Sequence, residues 1–347
     1  MNFSIEEYYS ILIEILKSAD EEDIPSQALI DAWRITEIYV QPVICVIGFL
    51  GNLTAARVFT SKNLRLNSSN LYLAFLSCFT SVYMLLVLLS WLAVVNVPVI
   101  NQNRICQLVV FLTYVCSFMT VWLIAVITFE HYVIVHHIRA ARFVCKRRKA
   151  KILVSCLIAT SLLLYSTTLW STRVEQRSNM LVCTPGSDQR ALLTRLVFFI
   201  DMVVTFLLPG IITITIICAC VGRHLLMKDI RVSFFRYHSN IRISRRERSL
   251  LRIARVLLLI SLSHVVFSSP CFIFRLCYQI SFLLNEEDSS NLQDYYINQI
   301  LQNMYYFSFT ANFIVYIAFC ANFRLGLKSI FTFRRFKCSQ HSVSETT

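Results

Sequence analysis

The apolar run from Cys106 to Tyr132 constrains the fold more than any other part of the chain. It reads CQLVVFLTYVCSFMTVWLIAVITFEHY, and as an α-helix it would be roughly 39 Å long, enough to cross a bilayer with some tilt. Its polar side chains fall on one face at helical spacing: Thr113, Ser117, Thr120 and His131. Since a helix in lipid has to hide a polar face against other helices, this segment predicts a helical bundle.

The composition agrees with a membrane protein. The chain has 347 residues, of which 56% are hydrophobic and only 15% are charged, whereas soluble domains are about 25% charged. Seven segments have spanning length, and all are predicted to be helical because each is too long for a barrel strand and none alternates at period two. The predicted spans lie near 38–60, 70–97, 106–135, 150–170, 193–221, 252–284 and 295–319.

The distribution of charge predicts how the bundle is oriented. With the N-terminus outside, the inner loops and tail hold 25 of the 33 Lys and Arg residues, and the outer segments hold 15 of the 20 acids. We therefore expect an all-α membrane protein with its N-terminus outside and its C-terminus inside. Its three parts are an acidic extracellular tail (1–37), a seven-helix transmembrane domain (38–319), and a juxtamembrane helix with a cytoplasmic tail (320–347).

Both terminal regions carry predicted features. Apolar and basic residues alternate at helical spacing over 322–331, which predicts a short amphipathic helix on the inner leaflet. Beyond it, Cys338 is either a palmitoylation site or a free cytosolic thiol, and the sequence leaves both open. At the other end, Asn2 opens an Asn-Phe-Ser sequon in the outer tail and is a predicted glycosylation site.

Two cysteines lie on the predicted outer side of the membrane. Cys106 begins the third span, and Cys183 lies in the outer loop between the fourth and fifth spans. Since both face an oxidising compartment, we expect a disulfide that fixes this loop over the bundle.

Ionisable and polar residues at membrane depth are candidates for function. Polar faces of the third, fifth, sixth and seventh spans converge towards the outer side, which predicts a water-accessible cavity there. An alternative is that Asp201 and Arg275, on neighbouring helices, neutralise each other, and both interpretations can hold if a ligand competes for the pair. The candidate ligand-binding residues are Trp91, Thr113, Tyr114, Ser117, Asp201, Arg275, Tyr278, Gln302 and Tyr306.

Six motifs resemble those of rhodopsin-like (class A) G-protein-coupled receptors in their residues, their order and their spacing. The resemblance covers about residues 38–335. The motifs are Gly51-Asn52, NLYLAFL at 70–76, Cys106 placed 25 residues before His131, Pro209 with Pro270, NFIVY at 312–316, and Phe323-Arg324. The resemblance implies a plasma-membrane receptor, not an enzyme, that binds an extracellular ligand and signals to a heterotrimeric G protein. It places activation and coupling at Glu130, His131, Tyr132, Asn312 and Tyr316.

Several motif positions depart from the family pattern. His131 stands where the family has its central arginine, Thr80 where it has an acid, Ser268 where it has an aromatic switch, and Phe313 where it has a proline. A neutral histidine cannot hold Glu130 as arginine would, whereas a protonated one could. This suggests the hypothesis that the inactive state has a pH-sensitive latch.

The ligand class follows from the charged and polar residues on the outer side. Thr113 occupies the position where amine receptors have aspartate, which disfavours an amine ligand. Arg275 and the acidic outer segments favour a peptide. The acids would attract the basic residues of such a peptide. The alternative is a decoy, scavenger or heteromer partner of the same fold that does not signal, in view of the altered motifs. A transporter would show paired halves, and a hydrolase or metal site would need clustered His and acids. Neither pattern occurs in the sequence, which also predicts no cofactor and no nucleic-acid partner.

Overall fold

The computed structural model describes residues 26–61, 68–95, 97, 99–100, 102–177, 180–185, 199–234, 245–285, 292–321 and 323–329. Seven long helices dominate this part of the chain. α1 is Gln27–Phe59 with a π-helical turn at Thr36–Val40, and α5 joins the π-helical stretch Met202–Leu207 to the α-helix Leu208–Phe234. The others are α2 (Ser68–Val94), α3 (Asn103–His136), α4 (Arg147–Tyr165), α6 (Arg245–Asn285) and α7 (Leu292–Phe319).

Shorter elements connect these helices. A loop helix, Ile138–Val144, lies between α3 and α4, and a helical turn, Thr168–Ser171, follows α4. Two antiparallel strands come next, β1 (Thr172–Arg177) and β2 (Met180–Pro185), and the C-terminal helix Phe323–Ser329 follows α7. The predicted sites at Asn2 and Cys338 lie outside the described residues.

The helices have the length and composition of membrane spans. Six of them are long and apolar enough to cross a bilayer alone, and α7 meets the same test only together with the C-terminal helix. α7 is less apolar because it carries polar residues that the bundle buries, including Gln302, Asn303 and Asn312. The predicted all-α bundle is confirmed, as is a short helix after the last span.

α1 begins before the predicted start of the first span. Residues 27–37, assigned from the sequence to the acidic tail, are helical and continue into the span. Trp33 is buried on this extension, and its ring lies 4.8 Å from that of Tyr296 on α7. This contact anchors the extension of α1, about three helical turns, to α7 by burying the apolar area of a large aromatic side chain.

α3 is the central helix of the bundle. It packs against α2, α4, α5 and α6, while α7 closes the ring between α6 and α1. In its most apolar stretch 61% of the residues are buried, against 22% for α4, which presents most of its apolar side chains outward. The stretch from Cys106 to Tyr132 that first predicts a bundle is therefore the one the other helices surround.

A disulfide fixes the strands to one end of the bundle. Cys106 at the start of α3 is bonded to Cys183 on β2, as predicted. Two hydrogen bonds support the same attachment: the Val174 amide donates to Asn103 Oδ1 at 2.8 Å, and Gln107 Nε2 donates to the Thr172 carbonyl at 3.1 Å. We call this the disulfide end, and we call the opposite end, where α3 finishes, the His131 end.

At the His131 end the C-terminal helix folds back against the bundle. It is bent by 87° from α7. Its first residue, Phe323, is fully buried, and its ring lies 5.5 Å from that of Phe59 and 5.7 Å from that of Tyr316. One aromatic side chain thus anchors this helix to both α1 and α7.

α1 and α7 approach closely because two glycines of α1 face α7. A Cβ atom at Gly51 would lie 2.6 Å from the ring of Phe313, and one at Gly48 would lie 2.6 Å from Thr310 Oγ1. Asn52 Nδ2 donates to the Phe309 carbonyl at 3.2 Å across the same contact. The ring that replaces the family's proline therefore fills the space that glycine leaves open.

We expect Gly51→Ala to destabilise the bundle by about 1–3 kcal/mol, because the added methyl overlaps a ring that is held between two helices. The matched control is Gly222→Ala on α5, where a Cβ atom would meet nothing within 4 Å. That change should be neutral or slightly stabilising, since alanine favours a helix by about 0.5–1 kcal/mol over glycine. Thermal unfolding in detergent measures both, and equal midpoints for the two variants would contradict the proposed contact.

Candidate functional site

A buried carboxylate lies between α4 and α5 near the disulfide end. Asp201, which directly precedes the π-helical stretch of α5, is only 6% exposed. Its Oδ1 accepts hydrogen bonds from Tyr165 Oη at 2.5 Å and from Thr205 Oγ1 at 2.8 Å. The two donors stabilise the carboxylate, and no cation is among its hydrogen-bond partners in the described part of the chain.

A cation, Arg275, lies on the neighbouring helix α6. The Nε atom of Arg275 donates to Asn298 Oδ1 at 3.1 Å, and one of its terminal nitrogens donates to Gln302 Oε1, both on α7. Arg275 is half-buried, and its partners are neutral amides. Among the described residues, the hydrogen bonds to Asp201 come from Tyr165 and Thr205 and none comes from Arg275. The two groups therefore form no direct hydrogen-bonded pair in the described structure, and any mutual neutralisation acts at longer range.

An aromatic cluster joins these charged groups in the interior. Ser117 on α3 and the Tyr305 hydroxyl on α7 lie 3.0 Å apart, within hydrogen-bonding distance. The Tyr305 ring lies 5.2 Å from that of Phe272 and 4.8 Å from that of Phe309. Deeper in the bundle, His264 Nδ1 lies 3.2 Å from Ser308 Oγ, which continues the polar face of α6. The cluster gives the candidate site an apolar floor with single polar groups.

The remaining candidate residues divide into two groups. Tyr114 stacks on Tyr165 with ring centroids 5.2 Å apart, and Tyr306 lies 6.1 Å from the ring of Tyr83, so both line the interior. The other three contribute less to it. Thr113 Oγ1 donates to the backbone of its own helix, Trp91 Nε1 donates to the Glu37 carbonyl, and Tyr278 is 36% exposed.

Tyr165 is the residue of this site that the sequence pattern does not single out. It is the last residue of α4 and ends an apolar run, so its position suggests packing. The structure instead directs its hydroxyl to Asp201 on α5. A tyrosine hydroxyl at membrane depth needs a partner, and this requirement was the only available signal.

At the His131 end the acid of the predicted coupling motif has an unpredicted partner. Glu130 Oε1 accepts a hydrogen bond at 2.5 Å from Ser68, at the start of α2. His131, Asn312 and Tyr316 are buried, and Tyr132 stacks on His136 with ring centroids 4.1 Å apart. The five coupling candidates keep their predicted roles as hypotheses.

The described residues contain no group of three or more His, Cys, Asp or Glu side chains placed to hold a metal ion. The arrangement at the disulfide end is instead suited to recognition. It offers an anion, a cation and hydroxyl groups around aromatic rings, and each charge is satisfied by neutral partners that a ligand could replace.

We expect Tyr165→Phe to cost about 1–3 kcal/mol of stability, because it leaves a buried carboxylate with one donor fewer. Tyr278→Phe is the matched control, since this tyrosine is 36% exposed and its loss of a hydroxyl should stay within about 0.5 kcal/mol. Thermal unfolding of both variants in the same detergent tests the difference. Equal losses would show that the Tyr165 hydroxyl does not stabilise Asp201.

A second prediction concerns Cys145, in the connection between the loop helix and α4. Burial, and then the nearby Glu130 carboxylate, raise the pKa of this thiol to about 12. Only the thiolate reacts, so labelling by a maleimide should be very slow at neutral pH and rise about tenfold per pH unit up to pH 10. Glu130→Gln should speed it, because removing the negative charge lowers the pKa of the thiol. Peptide mapping by mass spectrometry follows this one site, and labelling at the rate of a free surface thiol at pH 7 would contradict the prediction.

Comparison with protein families gives one match. The family model described as "7 transmembrane receptor (rhodopsin family)" matches residues 51–316, which covers α2 to α6 in full and most of α7. No match was found among curated individual proteins.

Proposed function

The chain belongs to the rhodopsin family of seven-transmembrane receptors, and from this premise we propose that it binds an extracellular peptide at the disulfide end of the bundle. Members of this family are receptors rather than enzymes. The protein is therefore a multi-pass receptor of the plasma membrane that signals through G proteins.

The orientation is part of the proposal. The acidic N-terminal segment and the disulfide lie at one side of the membrane in this arrangement, and the basic loops lie at the other. Basic loops are retained on the cytoplasmic side, and disulfides form in the oxidising extracellular route. Both facts support an outward-facing disulfide end and a cytoplasmic His131 end.

One observation carries the choice of ligand. Asp201 and Arg275 are ionisable groups of opposite sign on neighbouring helices, and each is hydrogen-bonded to neutral side chains rather than to the other. A ligand with both a basic and an acidic or carbonyl group could replace those neutral partners, gaining charge-assisted hydrogen bonds at two separate points. A peptide offers such groups at variable spacing, whereas a simple amine offers only one of them.

The attached hairpin supports the same class. β1 pairs with β2 on one edge and is bound to α3 on the other through the Val174 amide and the Thr172 carbonyl. Among the described residues no strand pairs with the outer edge of β2. An extended peptide can add to such an edge by main-chain hydrogen bonds. The disulfide and the contact of Gln107 with Thr172 hold the hairpin at the mouth of the bundle.

Coupling is proposed for the His131 end, through Glu130, His131, Tyr132, Asn312 and Tyr316. A decoy or heteromer partner that binds ligand without signalling is the second candidate. It is favoured by one feature, a buried histidine in place of the arginine that the family presents to its G protein. The two candidates share the ligand site and differ only at this end.

The test is a G-protein activation assay in cells that express the full chain, screened against a neuropeptide library. For a peptide that activates, Arg275→Gln and Asp201→Asn should each raise the half-maximal concentration about tenfold or more, because each removes a charge-assisted hydrogen bond worth about 1.5–3 kcal/mol. Arg104→Gln, an exposed arginine at the same end of α3, is the matched control and should change it less than about twofold.

Surface expression of every variant is measured by antibody labelling of an N-terminal tag on unpermeabilised cells, which also tests the orientation. Peptide binding without G-protein activation would favour the decoy. Equal losses in Arg275→Gln and Arg104→Gln would place the peptide elsewhere, and no binding by any peptide would contradict the ligand class.

A further inference from the structure

A second cavity lies on the side of the bundle at the His131 end, well away from the peptide site. It has a volume of about 340 Å³ and is formed by α2, α3, α4, α5 and the connection after the loop helix. Trp122, Phe129 and Leu153 provide its apolar walls. Phe129 and Leu153 are also exposed on the outer surface of the helices, so the cavity opens towards the bilayer.

One wall of this cavity holds a carboxylate oxygen with no partner. Glu130 lines the cavity and is only 4% exposed. Its Oε1 accepts the hydrogen bond from Ser68, but its Oε2 is buried and has no hydrogen-bond partner among the described residues. An unsatisfied carboxylate oxygen in a buried position is costly, so a donor supplied from outside the chain would be stabilising there.

A cation lies at the rim of the same cavity. Lys149, in the first turn of α4, lines the cavity and is exposed. Since Glu130 Oε2 has no partner in the described part of the chain, Lys149 does not neutralise it. The cavity thus presents an acceptor inside, a positive charge at the rim, and apolar walls that continue onto the bilayer-facing surface.

We propose that this cavity binds phosphatidylethanolamine from the bilayer, with the lipid's ammonium group donating to Glu130 Oε2 and its phosphate beside Lys149. The chemistry favours this headgroup over phosphatidylcholine and over anionic lipids that have no amine. Phosphatidylcholine has a quaternary ammonium without N–H donors, and an anionic lipid without an amine would bring only negative charge towards Glu130. The cavity is too small for a whole phospholipid, so the acyl chains would lie along Phe129 and Leu153.

The proposal is tested by native mass spectrometry of the full-length protein, purified in detergent and incubated with equal amounts of phosphatidylethanolamine and phosphatidylcholine of identical chains. The wild type should retain about tenfold more phosphatidylethanolamine than phosphatidylcholine. Glu130→Gln should retain about tenfold less phosphatidylethanolamine than the wild type, as expected for the loss of a charge-assisted hydrogen bond. Equal retention of the two lipids by the wild type would overturn the proposal, as would unchanged retention in Glu130→Gln.

Two pairs of matched variants keep the test decisive if Glu130→Gln fails to fold. Leu153→Trp should fill the cavity and reduce retention several-fold, whereas Ile152→Trp, at the adjacent bilayer-facing position that is 57% exposed, should not. Lys149→Ala should reduce retention, whereas Lys151→Ala, on the same helix outside the cavity, should not. Equal effects within both pairs would overturn the site. Lipid retention requires neither peptide nor G protein. A negative result in the lipid test would therefore not contradict the proposed receptor function, and a negative result in the peptide test would not contradict the lipid site.

Discussion

Polar side chains in the hydrocarbon region are stabilised by partners within the protein, and contacts of this kind organise the bundle. Water is absent there, so an unpaired hydroxyl, amide or charge is costly. Four side-chain contacts illustrate how different helices are joined in this way. Tyr165 binds Asp201 between α4 and α5, Arg275 binds Gln302 between α6 and α7, Thr128 lies 2.6 Å from Ser261 between α3 and α6, and Ser117 lies 3.0 Å from Tyr305 between α3 and α7. Together they help to determine which helices are neighbours. Aliphatic side chains cannot do this as well, because they pack against lipid as readily as against another helix.

The same need for partners within the protein explains what the sequence could predict. Span length and the polar faces of the helices identify a bundle, because both depend only on residue type and spacing. The disulfide was predictable since Cys106 and Cys183 were placed on one side of the membrane by the topology alone. The polar residues Gln302, Asn303 and Asn312 lower the hydropathy of α7, yet they also mark its inward face.

The partners of individual polar groups were not predictable in the same way. A pair of Asp201 with Arg275 was one of two alternatives, and the partner found on α4, Tyr165, was in neither of them. The rotation and tilt of each helix decide which side chains meet, and neither is encoded in periodicity. Glu130 and Ser68 are 62 residues apart and come together only through the packing of α2 on α3. Helix faces can thus be read from the chain, whereas contacts between those faces depend on the packed arrangement.

The two ends of α3 differ in how their charges are held. Near the disulfide end, two hydroxyl donors hold Asp201 and two amide acceptors hold Arg275, so each charge has exchangeable neutral partners. At the His131 end, Ser68 donates to one oxygen of Glu130, and the other oxygen, beside a cavity, has no hydrogen-bond partner among the described residues. Charge recognition is therefore available at both ends, through different groups and towards different surroundings.

The contact of Gly51 with Phe313 has a consequence for how this chain can vary and move. The ring of Phe313 on α7 packs against the Cα atom of Gly51 on α1. A larger residue at either position would therefore need a smaller one at the other. A proline at position 313 would have let α7 flex within its own length. Here the Phe313 ring packs against α1 instead. We therefore expect α7 to move together with α1 as a rigid unit and not to bend within its own length. Phe313, which departs from the family motif, thus replaces bending within α7 by a joint movement of α7 and α1.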